Sequence, residues 1–565
     1  TGGTGTYVES VTVAGDPFRR TDSSAPALQV LDSGDIQNLR GVLADDPLRA
    51  VQALSGAATG DDLRSEFSIR GSDFNHLDFT VEGFSAPFLL HTVRAVEDHS
   101  NSGSVAMINS DVLQDATVEN GGYAQRTGNR TGASVAFRLR EGSRARTELR
   151  GAVSGTSLSA VGEGPIGAEA RGSWLISGRY SYLDRLIDRL TDDGLRFGFW
   201  DTQAKVVFDV TRRQRLDLTL VAGRSRLAQP AEQVDQDDLF AGRNASTVGI
   251  ARWRLATSRA LITAGALGAS NRFINDTVQG IVLDRGTDRQ GTARVDAQYQ
   301  SSASVQVEAG LLGDWTTESR VRQRLASGAL STVNDYHGNA TRVGAHAMLR
   351  WHPRPNVTLS PGVRVDHWTL VRSAKASPWL QAAWQPAAAV TLRGGVGVYR
   401  QSPELEQVLG AWSAANPRLE QSAQFDVGAE WRPAPSTRVQ VTLFDRQDQD
   451  VMRRAGAETR IEDGRLVRGS NTARFANRLD GFARGVEGLV QVRNPNGLSG
   501  WLAYAYGRNR YEDAVSGETF WGNLDQRHTF NAYAGYRLNA RTSLSAKLRM
   551  GSSFPVPGYF GESDG

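Results

Sequence analysis

The chain reads as mainly β: an antiparallel transmembrane β-barrel preceded by a small α+β plug. Three features of the sequence lead there. Beyond about residue 143, segment after segment alternates apolar and polar residues. The connections between these segments alternate between tight turns and long polar stretches. Before that point lies a compact, Gly-punctuated region of mixed periodicity.

Composition is compatible with this reading and removes several others. At 565 residues the chain exceeds one ordinary globular core. Its 64 Lys+Arg against 61 Asp+Glu leave a formal charge of +3, and no basic stripe with interleaved aromatics marks a nucleic-acid face. Cys 0 removes disulfides, thiolate zinc sites and cysteine nucleophiles together. No apolar run approaches the roughly 18 residues of a membrane helix, but barrel strands need none, since they hide apolar residues at every second position.

In the N-terminal region, residues 35–55 show helical periodicity, with Ile36, Leu39 and Val42 on one face and Asp35 placed to cap. Short strands are expected at 66–71, 78–84, 111–122 and 134–142. Helices plus short strands within so few residues make a small α+β unit. The expected division is an N-terminal segment 1–24, a plug 25–143 and a barrel 144–565, with residues 140–146 as the hinge.

The barrel strands follow one rule. In residues 202–210, Ala204, Val206, Phe208 and Val210 share one face, while Gln203, Lys205 and Asp209 share the other. In 215–222, Leu216, Leu218, Leu220 and Ala222 oppose Arg215, Asp217 and Thr219. Segments 304–311, 438–443, 529–538 and 543–550 repeat the pattern. A charged second face must be wet; in a membrane barrel it lines the lumen. Tight links occur at 211–214, 352–356, 385–389, 432–436, 493–497 and 539–541. Long polar links are expected near 223–246, 271–290, 313–340, 401–420, 446–481 and 511–524. Short turns at one rim and long loops at the other are the outer-membrane arrangement. This parity holds only if 145–163 is two short strands broken near Ser154–Ser157. About nineteen strands then end at residue 552, against about 22 in plugged transporters, so about three C-terminal strands are expected to be missing.

The stretches DDPLRAVQALSGAATG, FSIRGSDFNHLDFTVEGF and VENGGYAQRTGNRTGASVAFRLREG, followed in order by GEGPIG, SWLISGRYSYLD, NPRLEQSAQFDVGAEW, RGVEGLVQV and DQRHTFNAYAGYRL, span nearly the whole chain. Each is weak alone; the ordered set resembles the TonB-dependent outer-membrane receptor family. The resemblance implies an N-terminal plug in a 22-stranded barrel of the bacterial outer membrane, with plug and N-terminus facing the periplasm. It implies active import of a scarce nutrient, such as a siderophore, cobalamin or oligosaccharide, energised by the TonB–ExbB–ExbD complex. Residues 7–15 stand where such receptors carry a TonB box, with Glu9, Ser10, Val11, Thr12 and Val13 at its centre. This β-branched stretch is suited to adding as a strand to a partner's sheet edge; a plain leader is the alternative.

By the same resemblance, Arg70 and Arg140 match plug arginines that lock onto barrel carboxylates, here Asp426 and Glu487. The alternative is four solvated lumen charges. Phe88, Leu89, Leu90 and His91, which follow the 78–84 strand, are the candidates for a ligand-facing plug apex. The surrounding partners would be outer-membrane lipid and lipopolysaccharide, with a small-molecule or oligosaccharide substrate and no nucleic acid.

Several apparent chemical motifs fail on context. GEGPIG, Gly162–Gly167, matches a dinucleotide fingerprint but precedes a strand and contains Pro165, so it reads as a hairpin turn. GESDG at 561–565 resembles a nucleophile elbow with no following helix or His. The acidic stretch 235–238 lacks the spacing of a calcium loop, and the eight histidines include no zinc motif; a surface-loop reading is preferred for His91 and His99. No catalytic residue, metal or cofactor is expected. Trp200, Trp253, Trp351, Trp368, Trp379, Trp384, Trp431, Trp501 and Tyr504 read as interfacial girdles, or alternatively as sugar-stacking platforms. The competing functions are a passive porin or surface-binding barrel, which the plug opposes, and a secreted glycan-binding protein or hydrolase, which the loop parity opposes.

Overall fold

The structure, a computed structural model, describes residues 25–39, 46–59, 65–86, 88–92, 103–154, 156–182, 196–235, 239–326, 328–462, 465–470, 472–494, 497–539 and 542–555. The plug is built on a five-stranded sheet in the spatial order Leu28–Asp32, Leu113–Glu119, Ser134–Leu139, Asp78–Val81, Phe84–Ser85. Only the pairing of Asp78–Val81 with Ser134–Leu139 is parallel. Leu31, Ile36, Val81, Leu113, Val135 and Leu139 form its dry core.

The helix expected over 35–55 is two short helices, Ser33–Asn38 and Pro47–Val51. Asp32, not Asp35, is the N-cap of the first; Asp35 returns the bond to the Asp32 N–H and completes a capping box. Asp46 caps the second, accepting from the Leu48 N–H at 2.8 Å, with Pro47 at the first helical position. A residue before proline is pushed out of the helical region, so no single helix runs through Asp46. The 78–84 stretch is a hairpin turning at Glu82-Gly83, and the 66–71 stretch turns at Arg70-Gly71, closed by an Ile69–Ser72 bridge.

Around the plug runs a 20-stranded sheet in which every strand pairs antiparallel with a sequence neighbour, from Glu148–Val153 to Ser543–Gly551. One member, Thr519–Trp521, is a three-residue piece within a connection, which leaves the expected nineteen. The break near Ser154–Ser157 is present, between Glu148–Val153 and Ser157–Ile166. Among the described residues the two end strands are not paired with each other. Alternation behaves as expected: Leu218 and Leu220 are 43% and 41% exposed on the outer wall, while Gln203, Lys205, Asp217 and Thr219 are buried inside.

Three expectations are corrected. The regions 271–290 and 313–340 are mostly ladder, not loop: Ala260–Asp276, Val282–Ser302, Val305–Ala326 and Ala329–Arg354 run through them as tall hairpins. Beyond the apolar band both faces are wet, so side-chain alternation fades, yet backbone N–H and C=O groups still pair. GEGPIG lies mostly within the strand Ser157–Ile166, and the turn begins at Gly167, φ +78°. Pro165 pairs with Ser173 on one side only, beyond the last rung of the other ladder at Glu148–Glu163, so its missing N–H is not needed there. Finally, Trp368, Trp379 and Trp501 are buried on the lumen side, whereas Trp200, Trp351, Trp384, Trp431 and Tyr504 are exposed outward. Trp368 donates to the Asn129 side chain and Trp501 to the Ala53 carbonyl, both in the plug.

Candidate functional site

The Arg70-Gly71 turn has φ of 52° and 72°, a pair of left-handed residues that leaves the Arg70 side chain at the hairpin tip. Its Nη1 lies 2.5 Å from Asp426 Oδ1, and its Nε and Nη2 lie 2.8 and 2.9 Å from the two Glu487 oxygens. The guanidinium also covers the Phe444 ring, 4.1 Å from its centroid. Burial opposes the charge of Arg70, but Asp426 and Glu487 outweigh it and hold the group firmly protonated. Asn120 adds a donor to Glu487 at 3.2 Å. Gly56 and Gly121 leave the room: a Cβ at Gly121 would meet Asp426 Oδ2 at 2.5 Å, and one at Gly56 would strike Glu487.

Arg140 does not join this cluster. It bonds Glu163 at 2.5 Å, a carboxylate it shares with Arg150. Arg140 sits at the plug's exit, where the first barrel strands lie nearest in sequence, so a local partner reaches it first.

A second cluster repeats the Arg70 arrangement with the signs reversed, and sequence reasoning missed it. Glu82, φ 52°, stands at the tip of the other plug hairpin, before Gly83, φ 85°. One oxygen accepts from Lys205 Nζ at 2.8 Å and from the Leu139 N–H at 2.9 Å; the other accepts from Arg252 at 2.8 Å. Burial raises the carboxyl, but Lys205 and Arg252 outweigh it and hold Glu82 below its ordinary value. The readable signals were the Glu-Gly turn and a lysine on the wet face of 202–210.

Elsewhere the seam is polar and largely addresses plug backbone. Gln381 donates to the Gly122 carbonyl, Tyr399 to Tyr123, Gln424 to Thr131, Gln440 to Pro26 and Asn509 to Gly71, all at 2.7–2.8 Å. Arg126 adds an ion pair to Glu308 at 2.5 Å. His76 bonds Glu420 at 2.8 Å; burial disfavours its charge, yet Glu420 prevails and pushes its pKa up to about 9.

The residues expected at the plug apex lie mostly buried. Leu89 and Leu90 belong to the buried core and Phe88 is partly buried against it. His91 is 1% exposed, not a surface-loop histidine: it bonds Asp201 at 3.0 Å and stacks on Phe199. Burial keeps it below its ordinary pKa and therefore neutral. Leu89, Leu90 and His91 are thus enclosed, while Phe88 keeps part of its surface open. Phe199, on which His91 stacks, does border open space. A cavity of about 1000 Å³ is lined by Phe199, Ser225, Asn244, Phe273, Arg320 and Tyr336 among others. Arg320 is fixed by Asp284 at 2.7 Å and by Glu406 at 2.8 Å, the latter from the short helix Leu405–Leu409.

Residues 9–13, His99, residues 236–238 of the acidic stretch and residues 561–565 lie outside the described residues. Among the described residues no group of three or more His, Asp or Glu is arranged to hold a metal ion.

Residues 174–560 match the family model described as TonB dependent receptor-like, beta-barrel. No curated protein matches the chain. Similar solved structures include the siderophore receptor PirA from Acinetobacter baumannii, with TM-score 0.72, 14% identity, and coverage of 92% of this chain and 85% of that one. The ferric enterobactin receptor PfeA from Pseudomonas aeruginosa, as a mutant, gives TM-score 0.72, 16% identity, and coverage of 94% and 87%. The FpvAI–pyocin S2 complex gives 0.69, 10%, 93% and 77%. With plug, barrel and family model in agreement, the chain belongs to the TonB-dependent receptor family, outer-membrane transporters rather than enzymes.

Proposed function

We propose that this receptor imports a ferric siderophore. The observation that carries the proposal is the wall cavity of about 1000 Å³, which combines three aromatic rings, Phe199, Phe273 and Tyr336, with the braced cation Arg320. That volume suits a compact chelate, and rings beside a cation suit an aromatic, anionic one. Two of the similar structures are named as siderophore and ferric enterobactin receptors.

In this reading residues 1–24 are the energy-coupling segment, 25–143 the plug and 144–565 the barrel. Glu9–Val13 pair as a strand with TonB, which ExbB–ExbD energise, and plug and N-terminus face the periplasm. The end carrying the tall hairpins faces outward, in a leaflet of lipid and lipopolysaccharide. Arg70, Asp426 and Glu487, with Arg140 on Glu163, hold the plug until a pull from TonB parts them.

Uptake of a ⁵⁵Fe-loaded catecholate siderophore by iron-starved cells tests the function. Uptake is expected to require this receptor and to stop with a protonophore, while binding persists. Deleting residues 7–14 is expected to abolish uptake and spare binding. Uptake that survives the protonophore defeats the energised reading; loss of binding on deletion defeats the coupling segment.

A further inference from the structure

The plug meets the wall in two chemically different ways. Along the strands from Ser157 to Asp276 the two bodies share one dry core: Val161, Leu175, Val221, Val248 and Leu267 of the inner wall pack in the same cluster as the plug's own apolar residues. The surfaces interlock there. A Cβ on Gly265 would lie 2.8 Å from Phe84 Cζ, and one on Gly223 would lie 3.0 Å from Met107 Cε. The dry contact resumes near the far end of the sheet with Leu489, Trp501 and Tyr533.

Between these stretches, from Val282 to Arg453, no described residue belongs to that core. Tyr399 packs with Tyr123 and Leu28 in a small separate cluster. Otherwise this wall touches the plug with the tips of polar side chains. Arg294 donates to the Gly83 carbonyl and Arg342 to that of Thr127, both at 2.8 Å. Arg364 donates to the Arg126 carbonyl at 3.0 Å and Arg438 to that of Leu28 at 2.9 Å. These add to the bonds from Gln381, Gln424 and Gln440. Where backbones touch, no side chain intervenes: a Cβ on Gly395 would lie 2.9 Å from Gly122 Cα. The dry stretch has polar contacts as well, Lys205 and Arg252 on Glu82 among them, but in addition to its core.

The two seams respond differently to water. A wall donor and a plug carbonyl that part exchange their bond for bonds to water at little net cost. Apolar faces that part gain nothing in exchange. A pull on the N-terminal segment also arrives on the polar side, because Pro26 and Leu28 are held by Gln440 and Arg438. The plug's exit, Arg140 on Glu163, is tied to the dry side. We infer that the passage for cargo opens between the plug and the wall from Val282 to Arg453, with the dry seam as its hinge and the last contact to part. Arg70 then leaves Asp426 early, and Arg140 leaves Glu163 last. The inference rests on the proposed energised import, and not on the identity of the cargo.

The experiment has two arms, both on the full chain, with heat-modifiable gel mobility reporting a folded barrel. In the first, maleimide labelling of single thiols is followed in detergent as urea rises. Gln381→Cys, on the polar wall, is expected to react at lower urea than Val248→Cys, on the dry wall, and at least tenfold faster at intermediate concentrations. Ser377→Cys, which keeps the Gln381 bond, is a second polar-side probe and is expected to follow Gln381→Cys. Equal reactivity throughout, or Val248→Cys reacting first, overturns the asymmetry whatever the cargo. In the second arm, energised uptake of the ferric catecholate is measured with plug and wall bridged by a short reducible bis-thiol linker. Bridging Gly122→Cys to Gly395→Cys is expected to stop uptake until the linker is reduced. Bridging Met107→Cys to Gly223→Cys is expected to leave it within twofold of the unbridged variant. Uptake through the first bridge, or loss of uptake with the second, overturns the passage. If wild-type protein imports no catecholate, the transport reading falls by itself, and the labelling order still decides between the seams.

Discussion

Arg70 and Glu82 are single charges, each enclosed between two of the opposite sign, and removing one partner of such a buried group typically costs about 3–5 kcal/mol. Glu82→Gln therefore takes the carboxylate partner from buried Lys205, which keeps the Leu139 carbonyl, while Arg252 keeps Asp217 at 2.9 Å. Its thermal midpoint is expected to fall by several degrees, and that of Glu82→Lys further still. Glu82→Lys combined with Lys205→Glu is expected to recover part of the loss; an unchanged midpoint in the single variant would show a solvated carboxylate instead. His76 makes a pH-dependent contact. Its folded pKa of about 9 exceeds the unfolded 6.5, so its bond to Glu420 stabilises fully below pH 6.5 and is lost as pH rises through 9. The contribution is on the order of 2–3 kcal/mol. Melting at pH 6 and pH 9.5 should differ less in His76→Gln than in wild type; an equal difference in both removes His76 from the account. At this scale Arg70, Asp426 and Glu487 were legible because each sits in a recognisable stretch. Glu82 was not, because the resemblance pointed to no partner for it, and nothing local ties it to Lys205 and Arg252.

At the scale of elements, two hairpin turns with left-handed backbone present these charges, and their glycines separate two physical effects. At Gly83 a Cβ meets nothing within 4 Å, so Gly83→Ala is expected to cost only the backbone strain, about 1–2 kcal/mol. At Gly71 the added Cβ falls on Asn509, which also donates to the Gly71 carbonyl, so Gly71→Ala is expected to cost more. Chemical denaturation of the two variants side by side checks the order; equal losses would mean that Asn509 yields freely. The strands themselves were legible from their period of two. The tall hairpins were not, since a ladder wet on both faces has no apolar period and reads as polar loop.

For the molecule as a whole, the absence of cysteine makes single-Cys probes clean. Spin labels at Leu218→Cys and Leu220→Cys are expected to be relaxed by lipid-dissolved oxygen, and one at Thr219→Cys to be shielded by the plug. The same response at all three positions would refute the assignment of inner and outer walls. The barrel, its strand count among the described residues and the alternating sense of its strands were readable from the residues alone, because period and connection length are local properties of the chain. Three members of the Arg70 cluster came instead from resemblance to the receptor family, not from periodicity. Folding had to add the rest: the 88–91 stretch turns into the wall, Arg140 closes on Glu163, and Glu82 mirrors Arg70. Those outcomes depend on which side chains the closing wall brings within about 3 Å of the plug, a hydrogen-bond distance that no periodicity encodes.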